Sequence, residues 1–192
     1  MIDENAGDDI KVKGSNWRFN GEMVEKFDAH VEKSVPLYSE GHSLTCNLST
    51  FFVHDNSIIY EIGSSTGVLS EKLALCNKDK TGARIIGLDV EQDMVDFSND
   101  RLKKLQIKNL EYSCQDVTIC DLEKSDLIVC YYTLQFIPTA LRQQVLNKLY
   151  EALNWGGALI MFEKVRAPDA RFQDIINTLY MEYKLERNYT AS

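Results

Sequence analysis

From Ser57 onward, short apolar runs alternate with longer segments whose apolar positions recur every three or four residues. Ser57-Ile58-Ile59-Tyr60-Glu61-Ile62 is β-branched and apolar, is closed by Gly63, and reads as a buried strand. Residues 66 to 77 suit a helix, with Val68, Leu69, Leu73 and Leu75 as its apolar positions. Arg84 to Asp89 is a second strand, followed by a helix through Met94, Val95, Phe97 and Leu102. Leu110 to Cys114 is a weaker third strand, and Asp126 to Tyr132 a strong fourth one. A helix over about 139 to 153 is expected to end at Gly156-Gly157, before a fifth strand at Ala158 to Phe162 and a last helix over about 168 to 186.

Strands that alternate with helices predict a parallel sheet with right-handed crossovers: an α/β, doubly wound, Rossmann-like architecture. Upstream, residues 22 to 32 have a helical pattern (Met23, Phe27, Val31), and a second helix is expected from about Pro36 through Phe52, with Pro36 in its first turn. The predicted organisation is a flexible segment over 1–15, N-terminal helices over 16–56 covering the ligand site, and a Rossmann-like domain over 57–192.

Composition narrows the function classes. At 192 residues, 44% of them hydrophobic, the chain has enough apolar surface for one core. No apolar run reaches the roughly 18 residues of a membrane span, and the polar start does not read as a secretory signal. The net charge of −8 argues against a broad face for nucleic acid. Lys103-Lys104 with Lys108 is the one local basic patch, and it reads as a solvated helix face. Five scattered cysteines without a C-x-x-C pair read as reduced thiols of a cytoplasmic protein, and the three histidines share no metal-ligand spacing.

Ligands of doubly wound sheets bind at the carboxyl ends of the strands, so those ends are where chemistry is expected. The first is Glu61-Ile62-Gly63-Ser64-Ser65-Thr66-Gly67. A dinucleotide turn would need G-x-G-x-x-G, and a P-loop a lysine beside its last glycine; neither is present. The pattern D/E-x-G-x-G-x-G fits at Glu61, Gly63 and Gly67, with Ser65 in place of the middle glycine. Gly63 would let the amino-acid tail of S-adenosylmethionine pass over the backbone, and Gly67 would let the next helix start close to the strand. Asp89, 26 residues beyond Gly63, ends the second strand and can accept both ribose hydroxyls, or else cap the next helix. Val90 adjoins it, and Met94 is placed against an adenine face or in the core. Asp116 after the third strand can accept from the adenine amino group while the Val117 amide donates to a ring nitrogen.

From about Asn16 to Tyr189 the chain resembles the carboxy-S-adenosylmethionine synthase family of class I methyltransferase relatives. Ser34-Val35-Pro36-Leu37-Tyr38-Ser39 matches a family Ser-Val-Pro-Gly-Tyr-Ser, and the family turn D-L-G-C-S-x-G accounts for Ser65. Thr133-Leu134-Gln135-Phe136 matches T-L-Q-F. Leu153-Asn154-Trp155-Gly156-Gly157-Ala158-Leu159 matches L-N-P-G-G-A-L, and Glu163-Lys164 follows. The resemblance implies a class I methyltransferase fold without the last antiparallel strands, and a family arginine that binds the new carboxylate has no counterpart here. It also implies a homodimer and a place in tRNA wobble-uridine modification, where the family carboxylates the cofactor's methyl carbon with prephenate as donor. Tyr131 stands where the family has asparagine, and Leu37 where it has glycine.

The leading functional reading is an S-adenosylmethionine-dependent methyltransferase acting on a small-molecule or tRNA-linked acceptor. The alternatives are a carboxy-S-adenosylmethionine synthase and a non-catalytic cofactor-binding module. The expected ligand is S-adenosylmethionine, its demethylated product S-adenosylhomocysteine, or the carboxylated cofactor. No metal, no membrane and no direct nucleic-acid contact is expected. Tyr38, Tyr131 and Gln135 are the candidate catalytic residues, with Tyr132 beside them. Tyr38, Glu61, Gly63, Ser64, Ser65, Gly67, Asp89, Val90, Met94, Asp116, Val117 and Tyr131 are the candidate cofactor contacts.

Overall fold

The computed structural model describes residues 22–187 and 189. They form two compact units. The larger, residues 39–164, holds the sheet; the smaller combines the described residues up to Tyr38 with those from Val165 onward.

In the larger unit five parallel strands lie in the order β3-β2-β1-β4-β5, with β1 Ile58–Ile62, β2 Arg84–Asp89, β3 Leu110–Cys114, β4 Ser125–Tyr131 and β5 Leu153–Phe162. The chain steps outward through β2 and β3, then returns to the other side of β1 for β4. That reversal makes the carboxyl ends of β1 and β4 the switch point where such sheets bind ligands. β1 and β4 read as continuous apolar runs because both of their faces are covered. Leu127, Ile128, Val129 and Cys130 are all fully buried.

Alternation divides the sheet's side chains. Tyr60, Ile62, Ile86, Leu88, Ile128 and Cys130 pack with Val145, Leu149 and Ala152 of α5 (Thr139–Ala152). On the opposite face Glu61 meets Ser70 of α3 (Val68–Cys76), and Tyr131 meets His42 of α2 (Tyr38–Ser49). α4 (Gln92–Leu105) contributes Met94, Val95 and Ser98 to the buried set.

Two expected boundaries are corrected. Gly156-Gly157 does not end a helix: α5 stops at Ala152, Leu153 is already extended (ψ 137°), and both glycines lie inside β5. There the register with β4 shifts between Ser125 and Leu127. A Cβ on Gly157 would come within 2.9 Å of the Asp126 carbonyl oxygen, so the glycine serves a close approach of strands, as at a bulge. Pro36 is not in the first turn of α2, because Leu37 has φ 58° and the helix starts only at Tyr38. The family glycine at that position is explained by the same angle, which costs a residue with a Cβ about 1–2 kcal/mol.

In the smaller unit, α1 (Glu22–Ser34) and α6 (Ala170–Leu185) are joined through tyrosines: Tyr180 donates its hydroxyl to the Ser34 carbonyl at 3.0 Å. Asp169 caps α6 by accepting the Phe172 amide at 2.8 Å.

Candidate functional site

The turn after β1 is held from below. The amides of Gly63 and Ser64 both donate to the Leu88 carbonyl, at 2.7 and 2.9 Å, and Ser65 donates its amide to Asp89 Oδ2 at 2.7 Å. Gly63, Ser65 and Gly67 all have left-handed φ (75°, 50° and 84°). Ser65 tolerates this because its surroundings over-determine it: its carbonyl accepts from Ser98, and its hydroxyl lies 3.6 Å from the Met94 sulfur.

Packing within the chain also requires both glycines. A Cβ on Gly63 would come within 2.5 Å of Thr133 Oγ1, and one on Gly67 within 2.2 Å of the Tyr112 hydroxyl. Thr133 donates that hydroxyl to the Ile62 carbonyl at 2.6 Å, and Tyr112 donates to the Gly67 carbonyl at 3.0 Å. The turn is thus packed against β3 and against the segment after β4.

Glu61 lies beneath the turn, 3% exposed. Its carboxyl accepts from both the hydroxyl and the amide of Ser70, as an internal cap on the first turn of α3. Burial raises its pKa to about 8, opposed by the Ser70 hydrogen bonds and assisted by the nearby charges of Asp89 and Glu71. At neutral pH it therefore carries its proton. Ser64 Oγ is also buried, and it has no hydrogen-bond partner.

Asp89 ends β2 half-buried, with each carboxylate oxygen already accepting one amide: Ser65 on Oδ2, and Glu91 on Oδ1 at 2.9 Å. The second contact is an Asx turn rather than a helix cap, since the cap of α4 is Glu91. The Val90 amide also faces this carboxylate, which still has acceptor capacity to spare. Burial raises the Asp89 carboxyl above its ordinary range, opposed by these amides. Val90 beside it is exposed, whereas Met94 is 1% exposed and belongs to the core. After β3, Asp116 is half-buried and accepts the Thr118 amide at 2.8 Å. Lys148 of α5 holds the same loop by donating to the carbonyls of Val117 (3.0 Å) and Cys120 (2.8 Å).

At the end of β4, Tyr131 is buried between the rings of His42, Tyr132 and Phe162, at centroid distances of 4.7, 5.1 and 4.8 Å. Burial raises the pKa of its phenol, so it is no general base at neutral pH. His42 is neutral as well, its pKa lowered to about 4 by burial and then by Lys72. Gln135 is exposed and donates its side-chain amide to the Tyr132 carbonyl at 3.1 Å. Tyr38 opens α2 and is half-buried.

Two residues of this region had no assigned role in the sequence reading. Thr133 fills the space above Gly63, and Glu163, at the end of β5, accepts the Leu134 amide at 2.7 Å. An acidic residue closing a fifth strand was the available signal for Glu163, by the rule already applied to Asp89.

A family model described as a methyltransferase domain matches residues 60–159, the stretch from β1 through most of β5. The carboxy-S-adenosyl-L-methionine synthase of Trichodesmium erythraeum is 35% identical over 177 residues, 92% of this chain and 69% of that protein. The chain belongs to the methyltransferase-domain family, in its carboxy-S-adenosyl-L-methionine synthase branch. A second relative in that branch, from Staphylococcus epidermidis, is 34% identical over 91% of this chain and 75% of its own. Among solved structures, an S-adenosylmethionine-dependent methyltransferase from Clostridium acetobutylicum superposes with a TM-score of 0.58 at 20% identity, covering 71% of this chain and 56% of that one. That likeness extends the methyltransferase family to the three-dimensional fold.

The donor set fits the methyltransferase cofactor. Acidic side chains end β2 and follow β3, beside a left-handed turn that carries a buried, unsatisfied hydroxyl.

Proposed function

We propose that this chain is an S-adenosylmethionine-dependent transferase whose reaction is that of its named relatives, conversion of the cofactor itself to carboxy-S-adenosylmethionine. The observation that carries the cofactor assignment is Asp89. Its two oxygens are fixed by the Ser65 and Glu91 amides, the Val90 amide also faces the carboxylate, and lone pairs remain for a ribose diol. Asp116 and the Val117 amide then read the adenine edge, and the Gly63–Gly67 turn with Val90 flanks the amino-acid tail and ribose.

When bound, the cofactor supplies a methyl carbon activated by a sulfonium. The chain's own task is positioning and water exclusion. Tyr131, Tyr132 and Gln135 form the wall on the methyl side. Burial raises the phenols of Tyr131 and Tyr132, so the proton that the methyl carbon loses on carboxylation goes to the departing part of the carboxyl donor rather than to these side chains. Membership of the synthase branch supports a role in tRNA modification, and the five free cysteines support a reducing, cytoplasmic setting.

A second reading, methyl transfer to a separate small-molecule acceptor, is favoured by one observation. Tyr131 occupies the family's asparagine position with an aromatic ring packed among three others. Mass spectrometry of the nucleoside extracted from the purified protein separates the two. An added carboxyl group on the cofactor is the expected result; only S-adenosylmethionine and S-adenosylhomocysteine, after incubation with a carboxyl donor, would refute synthesis.

A further inference from the structure

The chain leaves β4 through an abrupt change of direction. Tyr132 donates its amide to the Phe162 carbonyl at 2.8 Å as the last rung to β5, and adopts φ 58°, a left-handed angle rare for an aromatic residue. The short 3₁₀ turn Leu134–Phe136 follows. Its first amides have no partner within the turn itself. They are met from another strand: the Leu134 amide donates to Glu163 Oε1 at 2.7 Å, and the amides of Gln135 and Thr133 face the same carboxylate.

One carboxylate therefore gathers three successive backbone donors, the arrangement that favours an anion at a helix start. Its effect reaches the cofactor turn. Thr133, whose amide faces the same carboxylate next to the Leu134 bond, donates its hydroxyl to the Ile62 carbonyl at 2.6 Å and fills the space over Gly63. Glu163 is half-buried, and burial raises its pKa while the three amides and Arg142 pull it down. Arg142 itself bonds the carbonyls of Ile137 (2.9 Å) and Gln135 (3.0 Å), closing the segment from its far end.

We propose that Glu163 is a positioning residue: its carboxylate sets the Tyr132–Gln135 segment as the methyl-side wall of the site and, through Thr133, sets the height of that wall over Gly63. The inference rests on the nucleoside-binding reading above and deepens it. A wall on the methyl side distinguishes S-adenosylmethionine from S-adenosylhomocysteine, which lacks both the methyl group and the sulfonium charge. Glu163 thus controls that discrimination rather than nucleoside binding as such.

The test uses the full chain with Glu163→Gln, which keeps the shape and one acceptor, and Glu163→Ala, which removes both. Hydrogen exchange read by mass spectrometry over residues 131–137, and calorimetric affinities for the two nucleosides, are measured on each. A charge-assisted bond contributes about 1.5–3 kcal/mol, so exchange in that peptide accelerates roughly 10- to 100-fold in Glu163→Ala and less in Glu163→Gln. Affinity for S-adenosylmethionine falls about 10-fold, with that for S-adenosylhomocysteine within about 3-fold of wild type. An unchanged ratio of the two affinities overturns the proposal, as does faster exchange spread evenly over the whole chain. If Glu163→Ala does not fold, Glu163→Gln decides by the same ratio. Wild-type protein that binds neither nucleoside overturns the nucleoside reading instead, and the inference with it.

Discussion

Glu61 gives the sharpest quantitative prediction, because its environment assigns it a proton at pH 7. An ordinary carboxyl at 4.5 raised to about 8 corresponds to a ceiling of about 5 kcal/mol of destabilisation once the group is forced to ionise in place. Structural relaxation brings the expected effect to about 2–3 kcal/mol. The folded state binds this proton more tightly than the unfolded chain does. Its contribution is therefore fully present below pH 4.5, is lost progressively as pH rises toward 8, and stays lost above that. Glu61→Gln keeps an acceptor for the Ser70 hydroxyl and cannot ionise. Urea unfolding of both proteins at pH 5, 6.5 and 8.5 reads the difference. The two should lie within about 1 kcal/mol at pH 5, with Glu61→Gln more stable by about 2–3 kcal/mol at pH 8.5. Asp89 and Glu163, also raised by burial, occur in both proteins and cancel in the difference. A difference independent of pH would refute the assignment of a buried, protonated Glu61.

The proposed cofactor site and the early turn each give one more test. Asp89→Asn retains the shape but replaces one acceptor oxygen with a donor, turning it toward the Ser65 or Glu91 amide. Nucleoside affinity should fall about 10- to 100-fold by calorimetry, and an unchanged affinity would remove Asp89 from the ribose site. Leu37→Gly relieves a left-handed φ at a side chain that is 72% exposed, so little packing is lost. Net of the greater freedom of glycine in the unfolded chain, stability should rise by up to about 1 kcal/mol, seen as a higher melting temperature.

The sheet and its chain order were legible because both-face burial leaves a plain mark on the sequence. Ile58–Tyr60 and Leu127–Tyr131 are apolar without alternation, as an interior parallel strand requires. The acidic residues at strand ends were legible for the same reason: an aspartate or glutamate just past an apolar run must lie at a sheet end. Boundaries fared worse wherever long-range pairing overrode local signals. Gly156-Gly157 looks like a helix stop, yet pairing of β5 with Ser125 begins at Leu153 and carries the strand through both glycines.

The glycines of the turn after β1 show why spacing can locate a motif without revealing all that constrains it. Spacing located Gly63 and Gly67, a passing ligand tail supplied a rationale for the first, and a close helix start one for the second. The constraint in the folded chain comes from Thr133, whose bond to Ile62 spans 71 residues, and from Tyr112, whose bond to Gly67 spans 45. No local pattern encodes contacts at those separations. They bind the turn to β3 on one side and to the segment after β4 on the other, so a change at either glycine would displace both flanks together. The same coupling explains why Ser65 can replace the central glycine. Ser65 meets Asp89, Met94 and Ser98, three neighbours whose hydrogen bonds stabilise its left-handed angle, whereas the positions of Gly63 and Gly67 leave no volume for a Cβ at all.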